Sequence, residues 1–446
     1  MGHNHGGRDH PDDRNRDLYR KLGRKIDGLQ VRVPWREEFH ELIRELYSTA
    51  EADVVTKMPY TFSTLDRIAM VAGYDRAVLS GILNGLTSKG LVIDIFLKDE
   101  YYFMPSPLYV GIYEFTLMKT GGLSTKEKAK FLHAYMKDNN AFFSANFGND
   151  QKVSIMRSIP HEEAVRPEDY TEILDYEKAV ALIEAVDTYT LGNCSCRVEK
   201  ANVGEKECKA PLRTCMALGR AADYMIRNGI GVPASRSEML EAIAVSKEYN
   251  LVLNADNVQR NPRFICQCCY DCCMTLTGIR KYGYPHTVVT SRFIADIVNR
   301  HECLGCGKCA KACPINALTM LDDAGARSKS KKIPSVDKNI CLGCGVCALN
   351  CSTAALRLVK REQKVIHPET TFERIMMQCL ERDTLQNQIF DNPGSITHKA
   401  MRAMIGGFLR LDPVKKALMS DTLRSTFLAS LRLGARVQGR GWLLDL

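Results

Sequence analysis

Residues 301–314 read HECLGCGKCAKACP and residues 339–352 read NICLGCGVCALNCS. Each stretch carries the spacing C-x2-C-x2-C-x3-C, so eight of the chain's 18 cysteines fall into an internal duplication. The spacing has a geometric meaning. A cubane metal cluster needs thiolates converging on its four corners from different directions, and a short C-x2-C-x2-C turn wraps three of them but does not comfortably reach the fourth. Gly305, Gly307, Gly343 and Gly345 fit the same account, because residues without Cβ let the backbone approach a cluster and aim amide N–H groups at its sulfurs. Paired structural zinc sites would be expected to join two C-x2-C knuckles across a longer gap.

Around this module the composition sets limits. At 446 residues and 45% hydrophobic, the chain has room for several domains with their own cores. The first thirty residues are too polar for a secretory signal, and no run of about 18 apolar residues follows, so a cytoplasmic protein is expected. In that reducing compartment clustered cysteines signify metal ligation or thiol chemistry in preference to disulfides. The net charge of +9 is too modest to indicate nucleic acid by itself.

The duplicated motif resembles the bacterial-type 2[4Fe-4S] (dicluster) ferredoxins. In that family the fourth cysteine of each motif crosses to the other cluster. The resemblance therefore implies one [4Fe-4S] cluster on Cys303, Cys306, Cys309 and Cys351, and a second on Cys341, Cys344, Cys347 and Cys313. Pro314 follows the family pattern, whereas Ser352 stands where the second motif usually has proline. From Ser291 to Val365 there are thirteen Lys or Arg against six Asp or Glu. That excess either offsets the negative charge of the clusters or steers an acidic redox partner of ferredoxin or flavodoxin type.

Upstream, nine more cysteines form two groups: Cys194, Cys196, Cys208 and Cys215, then Cys266, Cys268, Cys269, Cys272 and Cys273 in CQCCYDCC. Adjacent side chains such as Cys268 and Cys269 point in different directions, so one segment does not aim all five at one atom. A shared site or two neighbouring sites is expected. One or two further iron–sulfur clusters, a zinc site, or a dithiol relay are the open chemistries. Arg197 and Asp271 read as surface charges or as groups supporting the ligands. Cys379, alone in RIMMQCL, reads as a buried small hydrophobe.

The remaining sequence supplies scaffold. The expected architecture is a multidomain α+β chain, with a disordered polar tail over 1–32, carrying His3, His5 and His10. A winged-helix-like domain follows over 33–120, then a mainly helical cysteine-rich domain over 121–290, a dicluster domain over 291–365 and helices over 366–446. In the second region a Ser63-capped helix, a turn at Gly73, a second helix through Leu86 and two apolar segments give the helix-turn-helix-and-wing order. Between Tyr74 and Lys89 the only charged residues are Asp75, Arg76 and Lys89, too few for a phosphate-binding surface, so DNA is the weaker of its expected partners. From Ser395 to Leu446 there are nine Lys or Arg against three acidic residues on amphipathic helices, which pack on the chain's own core or rest on a subunit or an anionic membrane.

The motif combination also resembles multidomain iron–sulfur proteins of anaerobic bacteria. Phosphate-loop, dinucleotide-binding, G-x-S-x-G, H-E-x2-H and haem motifs are absent. Electron transfer, alone or as a component of a larger oxidoreductase, is the leading expectation. A metal-responsive winged-helix regulator and an oxidoreductase with its active site at the central cysteines are the alternatives.

Overall fold

The segment PDDRNRDLYRKLGRKID, expected to be disordered, forms the helix Pro11–Asp27 and buries Tyr19, Leu22 and Ile26 on one face. The spacing of these apolar residues suits a single helical stripe, and it was hidden in a segment otherwise made of charges. In this computed structural model, which describes residues 11–119, 125–149, 151–325, 330–363, 365 and 367–445, that stripe meets Phe39, Leu42 and Ile43 of the helix Glu37–Leu46. His3, His5 and His10 lie outside the described residues.

Next come β1 (Ser63–Thr64), the helices Leu65–Ala72 and Arg76–Ser88, and the ribbon β2 (Val92–Leu97) and β3 (Glu100–Pro105), paired in the order β1-β3-β2. Thr64, not Ser63, caps the first helix, accepting the Arg67 N–H at 3.2 Å, while Ser63 is drawn into the strand. Gly73, at φ +70°, ends that helix, and Asp75 caps the next through Ala77 and Val78. The packing does not break at residue 120. The helices Thr125–Met136 and Ala141–Phe147 contribute Leu132, Tyr135, Phe142 and Phe143 to the same core, which also takes in Val198 and Met274.

The central region, expected to be mainly helical, is built on a six-stranded antiparallel sheet. Its strands are β4 (Met156–Ser158), β5 (Tyr189–Asn193), β6 (Arg213–Leu218), β7 (Val232–Pro233), β8 (Val252–Asp256) and β9 (Phe264–Cys268), in the order β4-β8-β9-β6-β5-β7. The alanine-rich patterns that suggested long helices are helical only in part. Ala179–Glu184 and Arg236–Glu248 are short helices, and the β-branched and aromatic residues after each turn into β5 and β8. Leu191, Met216, Leu253 and Ile265 face those two helices in a shared core. Period-2 alternation therefore sends Cys215, Cys266 and Cys268 to the opposite face.

In the dicluster region β10 (Phe293–Ile297) pairs with β13 (Leu356–Lys360), and β11 (Leu318–Asp322) with β12 (Lys332–Val336), each antiparallel. The short helices Lys308–Ala312 and Val346–Leu349 follow the two glycine-rich turns. A bridge between Val165 and Leu358 and the Arg166 N–H to Leu358 O bond at 2.8 Å join this unit to the central one.

The C-terminal helices Thr371–Glu381, Ile396–Leu409, Asp412–Met419 and Asp421–Val437 build a core around Leu380, Leu409 and Leu428. Asp391 anchors them to the N-terminal region, accepting from Thr61 at 2.5 Å, Arg67 at 2.8 Å and Arg440 at 3.0 Å. Part of their apolar surface stays outside: Ile396 is 86% exposed and Val437 79%. No helix among the described residues is long and apolar enough to cross a membrane.

Candidate metal centres

In the duplicated motif the structure brings each fourth cysteine to the other half. Cys309 lies close enough to Cys303, Cys306 and Cys351 to feel their charge, and a small cavity of about 20 Å³ is fenced by these four. Cys347 is surrounded in the same way by Cys341, Cys344 and Cys313. The two sets differ in depth. Cys306 is exposed and Cys303 and Cys351 half-buried, whereas Cys313, Cys341, Cys344 and Cys347 are all buried.

Local backbone explains this convergence. Gly343 sits at φ +67°, and a Cβ there would run into the carbonyl oxygen of Phe293, so the turn closes onto β10 only with glycine. Backbone N–H groups point at the sulfurs, as in Ala317 N to Cys313 Sγ at 3.2 Å. Burial pushes the Cys309 thiol up to about 11 and Cys344 up to about 12. Thiols so placed give up their protons only to a positive charge, and a metal cluster supplies one. The donor sets and their glycine turns fit [4Fe-4S] clusters.

The nine central cysteines also converge. Cys208, Cys269 and Cys272 place their sulfurs within 4.8 Å of one another, with Cys208 Sγ and Cys272 Sγ 3.6 Å apart. The other six form a chain of neighbours: Cys196 reaches Cys194 and Cys273, Cys268 reaches Cys266 and Cys273, and Cys266 reaches Cys215. Cys268 ends β9 and Cys269 follows it, so the two look to opposite groups. Cys194 lies between the groups, near enough to sense Cys269 as well as Cys196.

Two cations stand behind these thiols. Arg197, expected at the surface, is wholly buried. It donates to Pro211 O at 3.1 Å, to Gln267 O at 2.7 Å and to Thr214 Oγ1, and it is in hydrogen-bonding reach of Cys269. Lys137 donates to Cys272 O at 2.8 Å and is ion-paired with Glu199, which also accepts from Tyr113 at 2.7 Å and meets His133 Nδ1. Glu199 and Cys196 hold the Lys137 ammonium above its ordinary value against desolvation. Buried positive charge next to thiols favours their thiolate form and offsets the negative charge of a thiolate-ligated centre.

Asp271, inside CQCCYDCC, fastens the loop bearing Cys208. Its Oδ2 accepts from Glu207 N at 2.9 Å, Cys208 N at 3.1 Å and the Cys272 thiol at 3.1 Å. Sequence reasoning missed His133, Lys137 and Glu199. The available signals were the i,i+4 spacing of His133 and Lys137 and the position of Glu199 three residues after Cys196 on one helix face. Cys379 is buried in the C-terminal core, away from the other thiols.

Comparison with known proteins agrees with the duplicated motif and goes no further. No curated protein and no solved structure gives a significant match to the chain. Residues 302–381 match the 4Fe-4S dicluster domain family, so the chain contains an iron–sulfur domain of the kind that carries electrons.

Proposed function

We propose that the protein transfers single electrons between a soluble carrier and a central thiolate-bound centre. In this reading Cys303, Cys306, Cys309 and Cys351 hold an outer [4Fe-4S] cluster, and Cys341, Cys344, Cys347 and Cys313 an inner one. The nine central cysteines hold one or two further iron–sulfur centres. The observation that carries the proposal is a single apolar core that contains Cys309, Cys313, Cys341, Cys344 and Cys347 together with Cys268 and Cys273. No solvent layer separates the two cysteine-rich regions there.

When bound, such clusters accept and release one electron at a time. The chain's own residues fix the order and exclude water. The outer set meets solvent, the inner set is buried, and the central set lies beyond it. His161 ties the last two together, its backbone N–H donating to Cys344 O at 3.0 Å and its Nε2–H to Leu251 O at 2.9 Å. The basic dicluster unit is a docking face for an acidic carrier of ferredoxin or flavodoxin type, and electron exchange with it should slow as ionic strength rises.

Anaerobic purification with iron, sulfide and zinc measured per chain, alongside electron paramagnetic resonance of the reduced protein, tests this reading. Twelve or more irons, at about four per cluster, would support it, whereas about eight irons with one zinc would replace the central clusters by a structural metal. About eight irons and no zinc would leave the central cysteines as thiols. A second reading, an oxidoreductase with its reaction at the central centre, is favoured by one feature: Cys215 and Cys266 open onto a cavity.

A further inference from the structure

The cavity beside Cys215 and Cys266 has a volume of about 290 Å³ and lies where the cysteine-bearing face of the central sheet meets the N-terminal ribbon and the C-terminal helices. Its walls are mostly apolar and deformable, with Met104, Met156, Met225, Phe264 and Met376 among them. Thioether side chains adapt to irregular apolar guests. This composition, with a few convergent polar groups, is that of a small-molecule site.

The polar groups are unevenly charged. Arg220, Arg263, Arg374 and Arg440 line the cavity with two carboxyl groups, Asp256, which is ion-paired with Arg374 Nε at 3.1 Å, and Glu114, which burial pushes well up towards its neutral form, while Arg440 is paired with Asp391. Among the described residues the half-buried Arg263 guanidinium makes no side-chain hydrogen bond and no ion pair, and Asp256, already paired with Arg374, is the carboxylate whose charge it senses. Desolvation lowers Arg263 to about 10, which leaves it cationic at neutral pH. A guanidinium that lines a mostly apolar cavity with its donors unspent is a ready partner for an anionic group entering that cavity.

We propose that this cavity binds an organic anion with an apolar body, the anionic group on Arg263 and the body along the methionine and phenylalanine walls. The ligand class is an amphipathic carboxylate, read from one unpaired cation in an apolar chamber. It goes beyond the electron-transfer reading and stands whether or not the neighbouring thiols hold a metal, because the anchoring residues lie outside the cysteine sets.

The test uses the full-length protein, kept anaerobic, with anilinonaphthalene sulfonate fluorescence as the probe and decanoate and decan-1-ol as competitors. Wild type should bind the dye in a form that decanoate displaces. Arg263→Gln should weaken decanoate about tenfold or more, the loss of a charge-assisted hydrogen bond, and leave decan-1-ol unchanged. Ala221→Phe, which puts an aromatic ring into the cavity from the helix Arg220–Arg227, should abolish displaceable dye binding even if the Arg263 variant fails to fold. Iron content and circular dichroism equal to wild type certify each variant. The proposal is overturned if decanoate displaces no dye, if Arg263→Gln weakens both competitors equally or neither, or if Ala221→Phe retains displaceable dye.

Discussion

Lys137 and Glu199 form an ion pair with side-chain exposures of 4% and 0%, directly behind Cys196. Two charges so deeply buried survive only through each other and their hydrogen bonds, so removing one leaves the other stranded. Lys137→Met should therefore destabilise the protein by about 3–5 kcal/mol. The double variant Lys137→Met/Glu199→Leu should recover much of that loss, because both charges leave together. Anaerobic urea unfolding of the four proteins of the cycle measures the coupling, and an additive double variant would show that the two residues do not act as a pair.

Two motif glycines at different places in the C-L-G-C-G turn, Gly343 and Gly307, differ in their surroundings. At Gly343 a Cβ meets the Phe293 carbonyl oxygen and Ser291 Oγ, whereas at Gly307 the nearest atom, Met320 Cγ, is 3.8 Å away. Both have positive φ, so alanine strains either by about 1 kcal/mol. Only Gly343→Ala also forces the turn off β10. It should lose iron from the buried set on purification, while Gly307→Ala keeps its full complement and melts slightly earlier. Equal iron content in the two variants would count against the packing argument.

His367 is buried, with Nδ1 2.8 Å from Asn257 Oδ1 and Nε2 without a partner, and desolvation beside Arg157 and Arg292 lowers its pKa to about 3. In the unfolded chain it returns to about 6.5. The unfolded state thus binds the extra proton between these values, so this stability is complete above pH 6.5 and is lost as pH falls towards 3. Between pH 7.5 and 5.5 wild type should lose about 1.4 kcal/mol more than His367→Gln. Chemical unfolding of the two proteins at both pH values reads the difference, and parallel losses would remove His367 from the account.

What could be read from the chain depended on how far apart the interacting residues lie. The duplicated motif was legible because its convergence is encoded in gaps of two and three residues, and the crossing of Cys313 and Cys351 came from family resemblance. The gathering of Cys194–Cys273 was visible as a surplus of thiols. The sheet that gathers them was not, since β4 to β9 are two to six residues long and alternate with alanine-rich turns of helix. The helix Pro11–Asp27 was lost in its own charge. The partners of Glu199 are Tyr113, His133 and Lys137, the first 86 residues away in sequence, and only the fold puts them together.

The central cysteines divide at two peptide bonds, Cys268–Cys269 and Cys272–Cys273. Cys268 looks toward Cys266, Cys273 and Cys196, and Cys269 toward Cys208 and Cys272. If each group holds its own centre, Cys268→Ser and Cys272→Ser should remove different metal, and the double variant should lose the sum. If all nine thiols share one centre, either single variant should lose as much as the pair. The divergence of consecutive side chains favours separate losses. In every variant the resonance signals of the dicluster domain should persist, because its eight cysteines lie in other segments. Cys379→Ser, in the C-terminal core, should leave metal content unchanged and sets the baseline. Metal analysis of these four proteins decides between one centre and two, and loss of the dicluster signals in Cys268→Ser would show that the shared apolar core makes the two regions a single folding unit.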